Sequence, residues 1–390
     1  MHLVDTTLFY SPTSGGVKRY LDAKHAWLSS HTSWEHTIVV PGPEDRADRG
    51  GICTLGGFVV PGSFNYRLPL NPERWTDLLT ALEPSLIEAG DAFHPAWCAT
   101  HVARRLGIPA VAFYHSNLPQ IIGRSVGGLS ERILSRYIRW MYDRFDVVFA
   151  PSRLMCAYLN HLGVRHTLYQ PLGVDAEIFR PERRTDDLRT KLGLPAKTRV
   201  LVYAGRFSPE KNLPVMLQAF ARLGRPYHLL MIGGKQEARP AANVTMLPYR
   251  RDSRELAQWL ASADALVHAG SKETFGLVIL EAMACGRPVV AVHSAAIPEF
   301  VDESVGLLAR PNCSASLAEA IAALYDRDLE QLGSAARSRV LQRFTWNHAF
   351  DAQTNAYAAL VGARRPAALP PREVMGLVPI SPDDQEYSGS

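Results

Sequence analysis

The chain has little surplus charge of either sign: 42 Lys and Arg against 38 Asp and Glu, a formal net charge of +4. So small an excess gives no electrostatic footprint for a nucleic-acid binder. Cysteine is also scarce, with only Cys53, Cys98, Cys156, Cys285 and Cys313. Their number is odd and none forms a Cys-x-x-Cys pair. They read as reduced thiols of a cytosolic protein and not as a disulfide scaffold. No apolar run approaches the ~18 residues that span a membrane. No basic region followed by an apolar stretch opens the chain, so a signal peptide is not expected. Internal sequence repeats are absent. Hydrophobic residues at 47% and charged residues at 21% exclude a disordered or collagen-like chain. At roughly 150 residues per domain, 390 residues are most simply two domains.

What is present alternates. Apolar runs at residues 2–6, 37–40, 86–88, 110–114 and 147–150 read as strands, with helices at 17–30 and 130–145. Residues 179–198, rich in Arg, Asp and Pro, read as an interdomain segment with a short helix. The pattern then resumes, with strands at 199–204, 228–232, 244–247, 265–269 and 288–292. Helices at 213–223, 255–261 and 276–285 lie between them. Strands separated by helices imply βαβ units and a mainly parallel sheet, an α/β fold. Two such domains in series would form a cleft where their strand carboxyl ends face each other. Residues 364–390 carry five prolines and an acidic, serine-rich end, and read as an extended or disordered tail.

The strongest local signal runs from Ser271 to Val290. A strand feeds a loop, the loop opens a helix at about Phe275, and Gly286 stops it. The backbone N–H groups of Thr274, Phe275, Gly276 and Leu277 would be unpaired at that start. They form an anion site helped by the helix dipole. Glu273 precedes the helix, and Glu281 follows eight residues later, at most ~12 Å away by helical rise. That layout suits an extended ligand with two hydroxylated ends and an anionic centre, because a carboxylate can accept from a hydroxyl pair. A sugar and a ribose joined by a diphosphate match it. The plainer reading makes both glutamates solvated helix-end residues. Against it, Glu281 sits among Leu277, Val278, Ile279, Leu280, Ala282 and Met283, where a carboxylate needs a partner.

Gly205-Arg206 through Lys211-Asn212 follows another strand. Arg grips phosphate bidentately and Lys acts as a point charge. Opposite the helix start these two cations become a diphosphate clamp; elsewhere they would be solvated surface. Ser14-Gly15-Gly16-Val17, after the first strand, lets backbone approach a ligand closely but does not meet the dinucleotide fingerprint. Gly233-Gly234-Lys235 lacks the P-loop spacing and reads as a turn beside the nucleotide. Tyr114-His115-Ser116-Asn117 ends a strand at the cleft, which sets His115 apart from the other histidines. Asp326-Arg327-Asp328 is far from these motifs and reads as solvated surface, not as a metal ligand pair.

Taken together, these segments resemble the retaining GT-B glycosyltransferases of family 4 (glycosyl transferases group 1), over about residues 1–360. Glu273 to Glu281, with Phe275-Gly276-Leu277 inside and Gly286-Arg287-Pro288-Val289-Val290 after, carries most of the likeness. Gly205, Arg206, Lys211 and Asn212 are similar to the family's phosphate loop, and Gly15-Gly16-Val17 to its glycine loop. His115, Pro151-Ser152, Gly173-Val174-Asp175 with Phe179 and Pro181, and Phe344-Thr345-Trp346 add to it. One departure is Ser294-Ala295-Ala296-Ile297-Pro298-Glu299, where the family usually has Gly-Gly before Ile-Pro-Glu. Extra methyl groups there are expected to alter the donor-sugar end of the pocket.

The resemblance implies two Rossmann-like domains facing across a cleft: an acceptor-binding domain at 1–178 and a nucleotide-sugar-binding domain at 179–345. A crossover helix at 346–363 would pack back on the first domain, with the tail at 364–390. It implies catalytic roles for His115, Glu273, Arg206 and Lys211. Gly15, Gly16, Gly205, Thr274, Phe275, Gly276, Leu277 and Glu281 would bind the donor. Glu281 would hold the ribose and Glu273 the sugar. The donor is a nucleoside-diphosphate hexose, UDP- or GDP-linked, with no cofactor and no metal requirement. The acceptor would be a membrane lipid such as diacylglycerol, or a growing glycan. A base ring would lie near Pro248-Tyr249-Arg250. On helix 130–145, Arg132, Arg136 and Arg139 form one stripe that could dock on anionic lipid. The protein is expected to be cytoplasmic, with peripheral membrane contact and no nucleic-acid partner. The competing classes are a sugar-nucleotide epimerase of similar fold and a non-catalytic nucleotide-sugar-binding protein.

Overall fold

The computed structural model describes residues 1–10, 15–61, 66–69, 71–116, 128–234, 241–250 and 252–363. Ser14, Asn117, Lys235 and the tail at 364–390 lie outside the described residues.

The first domain is a parallel sheet. Its strands are β1 (His2–Thr6), β2 (Glu35–Gly42), β3 (Ile52–Gly56), β6 (Leu86–Ala89), β7 (Ala110–Phe113), β8 (Val147–Ala150) and β9 (Thr167–Tyr169). They run in the order β3-β2-β1-β6-β7-β8-β9. Between β3 and β6, β4 (Phe58–Val59) and β5 (Arg67–Leu68) form a small antiparallel hairpin. Every residue of β1, β6 and β7 is buried, as a sheet covered by helices on both faces requires. Alternate residues serve opposite cores: Leu3, Val111 and Phe113 pack on one face, Val4, Ala110 and Ala112 on the other.

The second domain has β10 (Arg199–Ala204), β11 (Tyr227–Ile232), β12 (Val244–Leu247), β13 (Ala265–His268), β14 (Val289–Val292) and β15 (Gly306–Ala309). Their order is β12-β11-β10-β13-β14-β15, all parallel. The order reverses between β10 and β13. Open α/β sheets bind ligands in the crevice beyond such a reversal.

Thr345 caps the terminal helix Trp346–Gly362 by accepting from the His348 N–H, a favoured N-cap arrangement. This helix packs on the opening helix Gly16–His31 of the first domain. At the chain's return, Val174 forms a parallel bridge with Thr345.

The helix after β13 is Leu277–Ala284, not a helix from Phe275. Phe275 is drawn into the core against Phe300 and Phe344, with ring centroids 5.6 and 6.3 Å away. Gly276 then turns the chain at φ +90° as the N-cap, a conformation that glycine adopts at little steric cost. Asp326, Arg327 and Asp328 are exposed. Asp328 caps the helix Leu329–Arg343 through the N–H groups of Glu330 and Gln331. All five cysteines are free thiols. Among the described residues no helix is long and apolar enough to cross a membrane.

Candidate active site

A cavity of about 410 Å³ lies between the two domains, at the ends of β10 and β13. From the second domain it is lined by Gly205, Arg206, Lys211, Glu273, Thr274, Phe275, Gly276, Leu277 and Glu281. Gly15, Gly16 and His115 line it from the first. Residues far apart in sequence, singled out separately, therefore share one cavity wall.

The loop after β10 carries the cations. It rests on Gly233: a Cβ there would come within 2.1 Å of the Gly205 carbonyl oxygen. The Gly233-Gly234 turn is thus a packing requirement of the loop that holds Arg206. A short 3-10 turn, Pro209–Lys211, then brings Lys211 to the Glu273 carboxylate. Across the cleft, the Tyr66 hydroxyl hydrogen-bonds Arg206.

Glu273 is held from two sides. Lys211 donates to Oε1, and His268 Nε2 lies 3.0 Å from the same oxygen. His268 Nδ1 accepts the Gly270 N–H at 3.0 Å. Its ring proton therefore sits on Nε2 and points at Glu273. Burial pushes the Glu273 carboxyl up, but Lys211 and His268 outweigh it and hold it well below the usual carboxylate range. Glu273 stays ionised, a fixed acceptor on the cavity wall. His268 was not visible as a site residue in the sequence. Its only mark is its place as the last residue of β13.

Glu281 is 3% exposed. The partner that its apolar surroundings demand comes from the other domain: the Arg19 guanidinium donates to Oε1. Oε2 is buried without a partner among the described residues. Glu281 raises the affinity of the Arg19 guanidinium for its proton. Arg19 was also missed, although its position in the first helical turn after Gly15-Gly16 aims it at the cleft.

His115 follows β7. Its ring stacks on Phe113 at 4.3 Å and meets the edge of Tyr20 at 5.0 Å. Nε2 is buried with no hydrogen-bond partner among the described residues. Burial pushes the imidazole down to about 3, and the Lys24 ammonium acts in the same direction. His115 is therefore neutral at physiological pH. Its carbonyl accepts the Thr274 hydroxyl at 2.9 Å, tying the two domains at the cavity.

Ser294–Glu299 does not line the cavity, so its methyl groups do not reach the pocket as expected. The segment supports the site from behind: Ser294 Oγ donates to the Ser271 carbonyl at 3.1 Å, and the Ala296 N–H to that of Glu273 at 3.3 Å. Ala295 takes φ +53°, where glycine is favoured. Glu299 reaches the other domain and accepts from the N–H groups of Arg153 and Leu154, each at 2.8 Å. Tyr249 and Arg250 line the cavity. Among the described residues no group of His, Cys, Asp and Glu is arranged to hold a metal ion.

Two family models match the chain: Glycosyltransferase Family 4 over residues 14–178 and Glycosyl transferases group 1 over residues 198–327. The GDP-mannose-dependent alpha-(1-6)-phosphatidylinositol dimannoside mannosyltransferase of Mycobacterium tuberculosis is 29% identical over 370 residues, covering 90% of this chain and 94% of the relative. A GDP-mannose-dependent alpha-mannosyltransferase of the same organism is 29% identical over 353 residues, covering 87% and 91%. In structure, sucrose-phosphate synthase from Thermosynechococcus elongatus superposes with a TM-score of 0.76 at 21% identity, covering 92% of this chain and 98% of that one.

Proposed function

Given that the chain belongs to the family 4, group 1 glycosyltransferases of the GT-B fold, we propose that it transfers a hexosyl unit from a nucleoside-diphosphate sugar with retention at the anomeric carbon. The observation that carries this reading is the single cavity that gathers Arg206, Lys211, the start of helix Leu277–Ala284, and a carboxylate on either side. Departure of the diphosphate builds negative charge on its oxygens. Arg206, Lys211 and the free amides at that helix start stabilise it. Fixed cations and amides take the part a bound metal plays elsewhere, so EDTA is expected to leave the rate unchanged. Glu281 holds the ribose hydroxyls and Glu273 those of the transferred sugar. His115, neutral, lines the cavity where the reacting sugar would lie. No side chain serves as a covalent nucleophile. The acceptor hydroxyl attacks the face the diphosphate leaves and gives its proton to the departing phosphate oxygen. Contact between the domains excludes water that would otherwise hydrolyse the donor.

GDP-mannose is the donor to test first, because both curated relatives above are GDP-mannose-dependent. For the acceptor we favour a lipid or lipid-linked glycan met at an anionic membrane. On the first domain, Trp97 and Trp140 are both exposed with ring centroids 4.6 Å apart, and Ile133, on the same helix as Trp140, is 60% exposed. Arg104, Arg105, Arg136 and Arg139 are exposed on the same two helices. Aromatic and basic side chains together suit a lipid headgroup boundary.

The test is a transfer screen with GDP- and UDP-hexoses, read by the one-bond carbon–proton coupling at the anomeric centre of the product. Retained configuration supports the reading, and inversion overturns the mechanism. Pelleting with vesicles containing an anionic phospholipid tests the membrane contact. No pelleting at low salt overturns it.

A further inference from the structure

Glu281 has the wrong surroundings for a carboxylate that waits freely for a ribose. Oε1 is taken by Arg19 and Oε2 is buried without a partner among the described residues. A vicinal diol held bidentately needs both oxygens. Guanidinium and diol therefore compete for Oε1. The competition has a physical cause: a carboxylate this deeply buried is costly without a counter-charge. Arg19, on the same cavity wall beside Gly16 and hydrogen-bonded also to Tyr249, supplies it.

We propose that Arg19 is an exchange partner for the nucleoside: it neutralises Glu281 in the empty cleft and yields Oε1 to the ribose diol of the entering donor. A residue of the acceptor-binding domain thereby sets the affinity of the donor site in the other domain. Arg19 acts through Glu281 and is a positioning residue. The inference rests on the assignment of Glu281 to the ribose made under Proposed function.

The experiment is calorimetric titration of the full chain with GDP and with UDP, comparing wild type, Arg19→Met and Arg19→Lys. Removing the competitor is expected to tighten nucleotide binding about three- to tenfold, the scale of a charge-assisted bond exchanged for neutral ones. Arg19→Lys, which keeps the charge but loses the fork, should fall between. The gain should vanish in a Glu281→Gln background. It should also vanish for the 2′,3′-dideoxy form of whichever nucleotide binds, since that ligand has no diol to exchange. Unchanged or weaker binding by Arg19→Met overturns the exchange, as does a gain that persists with the dideoxy ligand. If neither wild type nor Arg19→Met binds GDP or UDP, the nucleotide-site assignment itself has failed. Melting temperature in the absence of nucleotide checks that each variant is folded, and Arg19→Lys carries the test if Arg19→Met is not.

Discussion

Two clusters in this protein are made of the same parts, a lysine, carboxylates and a histidine, and they do different work. One is sealed inside the first domain. Lys24 Nζ lies 2.9 Å from Asp5, 3.0 Å from Glu88 and 2.8 Å from the Tyr357 hydroxyl. His36 closes on Asp5 at 2.7 Å, and Tyr20 donates to Glu88 at 2.8 Å. The other is Lys211 with Glu273 and His268, on the cavity wall. In the sealed cluster one ammonium serves two carboxylates. Lys24 and His36 overcome the burial of Asp5 and hold it low. Burial, aided by Asp5, pushes Glu88 up against the pull of Lys24. These charges are committed to each other, and through Tyr357 and Gln353 they bind the terminal helix to β1 and β6. In the cleft cluster one ammonium serves one carboxylate beside open volume, so an arriving anion can share it. Access to a ligand, more than composition, separates a structural cluster from a chemical one.

The largest expected effect breaks the sealed cluster. Lys24→Met leaves Asp5 and Glu88 without their cation. It should cost about 3–5 kcal/mol of folding free energy in a denaturant titration. Native-like stability would put the cluster outside the structural class. Next comes Lys211→Ala, expected to lower kcat by about 10²–10³-fold while moving the melting temperature little. A thermal loss as large as that of Lys24→Met would make the cleft cluster structural too. Tyr357→Phe is milder. It strips one hydroxyl from Lys24 and Glu88 and should cost about 1–3 kcal/mol, with donor KM unchanged.

The smallest effect is a pH dependence. The folded-state pKa of Glu273 is depressed below its ordinary 4.5. Its stabilising contribution is complete above that value and is lost as pH falls below it, because the unfolded chain takes up the proton first. Glu273→Gln should therefore show a shallower drop in melting temperature between pH 5 and pH 3 than wild type. Parallel curves would mean that Lys211 and His268 do not hold the ionised form in solution.

The cleft cluster was half legible in the sequence and the sealed one was not. Lys211 and Glu273 stand in loops directly after apolar strands, where a parallel sheet must deliver its ligand-facing groups. Glu281 betrayed itself as a charge inside an apolar helix. Arg19, its partner, is separated from it by 262 positions, and Lys24 from Tyr357 by 333. No local pattern links such pairs; only the return of the terminal helix makes Lys24 and Tyr357 neighbours. Strand β9 escaped for another reason. It is a three-residue edge strand with no fully buried position, too short to show a period. The helix start misread at Phe275 failed because tertiary burial of one ring overrode local periodicity.

The pairing of Val174 with Thr345 has a mechanical consequence. The Val174 N–H donates to the Phe344 carbonyl at 2.9 Å, so the strand leaving the first domain and the strand re-entering it run side by side. Topologically the second domain is a loop drawn out of the first and sewn shut at one stitch. Both tethers of that domain are therefore anchored at the same place on the first. The two chain segments that border the second domain are thus fastened to each other by a peptide–peptide hydrogen bond, whatever lies between them in the chain.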